Sequence, residues 1–239
     1  MRKWVIPDIH GCCKTLISLV ENKIQPTKDD VLIFLGDYID RGPDSKGVID
    51  YLIRLQQSDI PVICLLGNHE EAMLNAYSKE LNNNQSFSLF GKKNKALNFW
   101  MNIGGDTTLE SFKVKKVSQI PESYFTWIKN LQLYYESEKH IVVHAGFNFN
   151  CDEPFLDTSA MTTVRDFEVD LIKTNQRKIV HGHVQLSLDF IKFSIQDDKM
   201  TFIGLDNGCV HQKRIGMGNL LALDLNSLNL LIQPNIDLI

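Results

Sequence analysis

Six short apolar runs, each closing on a polar cluster, constrain this chain more than any other feature. KWVIP runs into Asp8, VLIFL into Gly36-Asp37, VICLL into Gly67-Asn68, HIVV into His144, KIV into His181-Gly182-His183 and FIGL into Asp206. The runs are short and rich in β-branched residues, so they read as strands rather than helices. Amphipathic segments separate the first three. Residues 12–24 carry Leu16, Leu19 and Val20 at helical spacing, and residues 46–57 carry Ile49, Leu52 and Ile53 behind a cap, Asp44 or Ser45. This strand–helix alternation argues for a parallel sheet with crossover helices. Open α/β sheets bind ligands beyond the carboxyl ends of their strands, where every polar cluster here falls.

The last third has a different rhythm. LDFIKFSI, QDDK and MTFIGL read together as a hairpin, and so does NLLALDL-NS-LNLLIQ, so the sheet is expected to be mixed or doubled. Residues 82–98 are polar and weakly patterned and read as an insertion or cap element near the substrate. No repeat or linker divides the chain, and 239 residues suit one domain over 1–239. The composition is 44% hydrophobic and 23% charged with a net charge of -4, a globular balance without the basic run that would indicate nucleic acid. No stretch approaches the roughly 18 apolar residues of a membrane span. The first apolar run is too short for a signal peptide, and the five cysteines form no CxxC pair, so a reducing, cytoplasmic setting is expected.

The clusters themselves are Asp8-Ile9-His10-Gly11, Gly36-Asp37-Tyr38-Ile39-Asp40-Arg41-Gly42, Gly67-Asn68-His69-Glu70, His144-Ala145-Gly146 and Gly182-His183. They offer carboxylate, imidazole and amide groups and no thiolate, a set suited to Mn, Fe or Zn. The candidates outnumber the needs of one four-coordinate site; two cations sharing a carboxylate would use them all. Five of the seven histidines, at 10, 69, 144, 181 and 183, fall in or beside these clusters. His140 precedes its strand and is expected to be exposed. His211 follows LDNGC and is a weak candidate for the pocket.

GDYIDRG followed by GNHE, with NIGGDTTLESF at 102–112, VRDF at 164–167 and LDNGC at 205–209, resembles the calcineurin-like metallophosphoesterases. Within them the chain is similar to the PPP-type serine/threonine phosphatases, above all the small bacterial and phage members, from Asp8 to about Gly208. The resemblance implies an α/β sandwich of two mixed sheets flanked by helices. It implies two divalent ions, manganese first and iron or zinc as alternatives. Asp8 and His10 would bind one ion, Asp37 would bridge both, and Asn68, His144 and His183 would complete the second. His69 would be the general acid, Asp40 would orient it, and Arg41 and Arg165, with Asn68, would meet the substrate phosphate. The implied substrate is a phosphorylated protein or a small phosphoester.

Elementary chemistry agrees with those roles. Paired divalent ions can clamp the attacking and leaving oxygens of an in-line displacement and acidify a water. Guanidinium forks suit phosphoryl oxygens, and histidine titrates where a leaving alkoxide needs its proton. Some positions depart from the family pattern. Pro7 precedes Asp8 where glycine is common, Thr163 stands where a tryptophan usually precedes VRDF, and Asn207 replaces a common threonine. Two residues after His183 stands Gln185, not the second histidine of the nuclease branches, so His181 is expected behind the ligands. Cys12, Cys13 and Cys209 are expected to be buried structural thiols. Two rivals remain: a symmetrical dinucleoside tetraphosphate hydrolase, although no nucleotide-stacking signature is evident, and a non-catalytic binding module, which the complete ligand set disfavours.

Overall fold

The computed structural model describes residues 1–85 and 94–237. β1 (Lys3–Ile6) leads into α1 (Cys13–Ser18), which continues as a π-helical turn over Leu19–Ile24 before β2 (Val31–Phe34). α2 (Ser45–Gln56) crosses to β3 (Val62–Cys64), its first turn capped by the Asp44 carboxylate, which accepts from the Gly47 amide at 2.8 Å. Then come α3 (Asn68–Gln85), α4 (Lys95–Trp100), α5 (Asp106–Ser111) and α6 (Glu122–Lys129). The second half is β4 (Tyr134–Glu136), β5 (His140–Val143), α7 (Thr158–Thr163), β6 (Lys178–His181), α8 (Leu188–Gln196), β7 (Phe202–Gly204) and the hairpin β8 (Asn219–Asp224) and β9 (Leu230–Pro234). Of the insertion expected at 82–98, the two ends belong to α3 and α4, and residues 86–93 lie outside the described residues.

Two mixed sheets result, ordered β3-β2-β1-β8-β9 and β4-β5-β6-β7. Side-chain alternation along each strand decides how they stack. In the first sheet Val5 stands opposite Ile33, and Ile33 opposite Ile63. In the second, Val142 stands opposite Val180, and Val180 opposite Ile203. These two rows, with Leu221 and Leu223 of β8, form one apolar layer between the sheets. Their neighbours Trp4, Ile6, Leu32 and Phe34 point the other way, onto the helices. Each fully buried aliphatic chain in the shared layer contributes about 1.5–3 kcal/mol relative to exposure. A one-residue register slip in β1 would exchange the two faces and break both cores.

One expectation fails. LDFIKFSI is not a strand but α8, with the Ser187 hydroxyl capping it by accepting from the Phe190 amide at 3.3 Å. Ile191 and Ile195, one turn apart, enter the layer between the sheets. Topology supplies the reason. β6 and β7 pair in parallel, and parallel neighbours require a crossover that a hairpin cannot provide. The NLLALDL hairpin stands as β8 and β9, paired antiparallel. The parallel strands of both sheets therefore release their polar clusters at one end of the sandwich.

Candidate metal centre

The loops at that end are held in costly conformations. His10, Asp37, Asp40, Arg41 and His183 all have positive φ, between 48° and 70°. A non-glycine residue there costs about 1–2 kcal/mol, so each needs something that holds it. For the loop after β2 that something is Glu70 at the start of α3. Its carboxylate accepts from the amides of Asp37 (2.9 Å), Tyr38 (2.8 Å), Ile39 (3.3 Å) and Gly67 (3.2 Å). The loop after β1 is stitched to the same turn, with the amides of Ile9 and His10 both donating to the Asp37 carbonyl. Gly36 allows the loops after β2 and β3 to approach this closely. Its φ is 113°, and a Cβ there would stand 2.6 Å from the Gly67 nitrogen.

Asp37 lies at the centre, and its two carboxylate oxygens face different partners. Oδ1 is 3.6 Å from His144 Nε2; Oδ2 is 3.7 Å from His10 Nε2 and 3.9 Å from His69 Nε2. Asp37 thus belongs to two groups of donor atoms close enough to hold an ion, His10-Asp37-His69 and Asp37-His144-His183. Beside the second group, His144 and Asn68 bring acceptors face to face. His144 Nδ1 is tied to the Leu35 carbonyl at 3.1 Å, which leaves the Nε2 lone pair pointing at Asn68 Oδ1, also 3.1 Å away. His183 Nδ1 lies 2.8 Å from that same oxygen, while its buried Nε2 has no hydrogen-bond partner. A His144 lone pair facing an amide oxygen, and a buried His183 nitrogen with no partner, suit a cation.

The charge balance points the same way. Burial, then Asp206 and Asp37, push the Asp8 carboxyl far above its ordinary value, and burial lifts Asp206 to about 6. Burial would lift Asp37 as well, but the imidazoles around it, with His69 toward its charged form, hold it well below the usual carboxylate range. Three acids pooled in a dry site need a compensating positive charge. Burial lowers His10 and His144 and takes His183 down to about 3, leaving neutral rings with lone pairs, the ligating form. Residues fit for two cations are therefore present, with Asp37 between the groups.

His69 stands apart from the other three imidazoles. Burial opposes its charge, yet Asp37 and Asp40 raise it above its ordinary value. Its Nδ1 is 2.7 Å from Asp40 Oδ2, a carboxylate that fixes the ring with Nε2 within reach of the first group. Asp40 is itself clamped by the Thr108 hydroxyl at 2.6 Å and the Trp100 indole N–H at 3.0 Å. Arg41 lays its guanidinium against both histidines, 2.8 Å from His10 Nε2 and 2.9 Å from His69 Nε2. Gly104 makes room for it, since a Cβ there would stand 2.9 Å from Arg41 N and Cγ.

The remaining expected residues divide. Asp8 joins neither of the two close groups; its oxygens accept from the His183 amide at 3.1 Å, beside Asp206 and Asp37. Arg165 is exposed just after α7, near enough for its charge to lower His183. His181 turns away from the ligands, between Phe167 and Phe202 at 5.4 and 5.5 Å. His140, expected to be exposed, is buried inside β5, because the strand begins one residue earlier than its apolar pattern. Cys12, Cys13 and Cys209 are free buried thiols, and burial pushes Cys13 up to about 12. Glu70, Trp100 and Thr108 carry no expected role although they shape the site. Asn207 ties its loop, donating to the Leu186 and Gly216 carbonyls at 2.9 and 2.8 Å.

The chain is similar to known proteins. The chain is 32% identical over 149 residues to serine/threonine-protein phosphatase 1 of Salmonella typhimurium, covering 60% of this chain and 58% of that one. It is 36% identical over 105 residues to the symmetrical bis(5'-nucleosyl)-tetraphosphatase of Buchnera aphidicola, covering 42% of this chain and 37% of the relative. The matched stretches therefore span less than two thirds of either relative. A protein serine/threonine phosphatase structure from Saccharomyces cerevisiae superimposes with a TM-score of 0.61 at 14% identity, over 98% of this chain and 79% of that one, which shows a shared fold. The calcineurin-like phosphoesterase family model matches residues 1–187, and the chain belongs to that family.

Proposed function

We propose that this protein is a dinuclear metal-dependent phosphomonoester hydrolase of the PPP type, acting on phosphoserine or phosphothreonine in proteins. The observation that carries the reading is the division of Asp37, one oxygen toward His144 and the other toward His10 and His69. Asp8, His10 and Asp37 would hold one cation, and Asp37, Asn68, His144 and His183 the other. Bound there, two divalent ions supply Lewis-acid charge to the phosphoryl oxygens and acidify a water. Manganese is the first choice for the oxygen- and nitrogen-rich donor set, with iron or zinc as alternatives. Arg41 directs its guanidinium fork to the phosphate and Arg165 adds a second from the exposed side. Once Arg41 has turned from it to the phosphate, His69, protonated at Nε2, gives its proton to the leaving oxygen while Asp40 holds Nδ1. The residues form one domain, and buried free thiols favour a reducing cytoplasmic setting.

The match to the Buchnera tetraphosphatase favours a second reading, cleavage of a phosphoanhydride by the same groups. Turnover of a phosphoserine peptide and of diadenosine tetraphosphate by manganese-loaded protein separates the two. The first reading expects the peptide to have the larger kcat/KM; the reverse order selects the second. Failure to hydrolyse even p-nitrophenyl phosphate overturns both.

A further inference from the structure

A groove of about 500 Å³ opens beside the centre, and Asn68 lines its inner end. Its floor is one face of α3, where Asn68, Ala72, Asn75 and Lys79 recur at helical spacing. At ~1.5 Å per residue, Lys79 lies about 16 Å along the axis from Asn68. α4 forms one wall with Lys95 and Phe99, and α7 forms the other with the side chains of Ser159 and Thr163. Phe99 is 58% exposed, an apolar step in the α4 wall.

The charge of the groove is positive at its far end. Lys79 and Lys95 are exposed and make no ion pair among the described residues. The acid in the groove, Glu71, already accepts the Thr162 hydroxyl at 2.8 Å. The shape selects among occupants. The groove is long, and Phe99 is the one aromatic ring among the described residues that line it. The described residues that line it all belong to helices, with no strand edge among them to pair a peptide backbone, so recognition falls to side chains. An extended chain advances about 3.3 Å per residue, which places the lysines some five residues from the metal centre.

We infer that this groove reads the substrate chain beside the phosphorylated residue, taking an apolar side chain against Phe99 and an acidic or second phosphorylated residue, four to five positions away, at Lys79 and Lys95. The inference rests on the reading of the centre as a protein phosphatase.

The test uses pairs of phosphoserine peptides, identical except for two glutamates or two lysines at the fourth and fifth positions, on either side of the phosphoserine. Values of kcat/KM are measured with manganese-loaded wild type and with the Lys79→Glu/Lys95→Glu double variant. The ratio is taken within each enzyme, so a general loss of activity cancels. Wild type is expected to favour the glutamate peptide about five- to tenfold at low salt on one side of the phosphoserine, and the double variant to invert that order. Equal turnover of both peptides by wild type, or a ratio indifferent to the charge reversal, overturns the assignment of the groove alone. Hydrolysis of p-nitrophenyl phosphate without hydrolysis of any peptide overturns the protein-phosphatase reading and the groove with it. Competition by a nucleoside diphosphate against the glutamate peptide, lost in Phe99→Ser, would give the groove to nucleotides and overturn the inference.

Discussion

At the scale of single residues, the centre separates imidazoles by their neighbours. His10, His144 and His183 are buried and held neutral, whereas His69 is paired with Asp40 at 2.7 Å and held toward its charged form. His69→Asn is therefore expected to keep its metal while kcat falls about 10²- to 10³-fold, more for an alkyl phosphate than for p-nitrophenyl phosphate. Equal losses on good and poor leaving groups would contradict the general-acid role. The candidate donors were legible in the sequence because chemistry-bearing residues recur where strands end. The residues that hold them were not. Glu70 could be seen beside His69, but three of the four amides it accepts from lie on a loop more than thirty residues earlier. Trp100 is sixty residues from the Asp40 carboxylate it supports. Nothing in local spacing announces such pairings.

At the scale of elements, turns and crossovers govern what the strands present. The segment between α4 and α5 passes Gly104 at φ 116°, with its carbonyl accepting from the Arg41 amide at 3.3 Å. Gly104→Ala would place a methyl group within 2.9 Å of Arg41 in a conformation that L residues rarely adopt. The variant is expected to lose about 1–2 kcal/mol of stability by urea titration and to raise KM for phosphomonoesters more than it lowers kcat. Unchanged stability and KM would remove this turn from the support of Arg41. α8 teaches the complementary lesson. Its apolar residues fit a short strand as well as a helix, and periodicity alone does not separate the two at that length. The parallel pairing of β6 with β7, which no local pattern reveals, made the crossover necessary. β4, with its short YYE pattern, left no readable strand signal either.

At the scale of the whole molecule, the sandwich sets a pH dependence apart from catalysis. His140 is buried in β5, and burial, then Lys178 and Lys139, lower it to about 4. In the unfolded chain it titrates near ~6.5, so between these values the unfolded state binds the extra proton. Its contribution is complete above about pH 6.5 and is lost as pH falls toward 4. His140→Phe is expected to make stability less sensitive to acid across that window, by up to ~3 kcal/mol relative to wild type in urea midpoints at pH 7.5 and 4.5. Identical slopes would place a protonated His140 in the fold.

The same stacking of two sheets brings β1, β2 and β3 from one and β5 and β6 from the other to a common end, where Asp37 meets His10, His69 and His144. The central claim is that this carboxylate joins two cations. Anomalous diffraction from crystals grown with manganese tests it most directly. The account predicts two peaks about 3.5–4 Å apart, one on each side of Asp37. A single peak, or none, would contradict it.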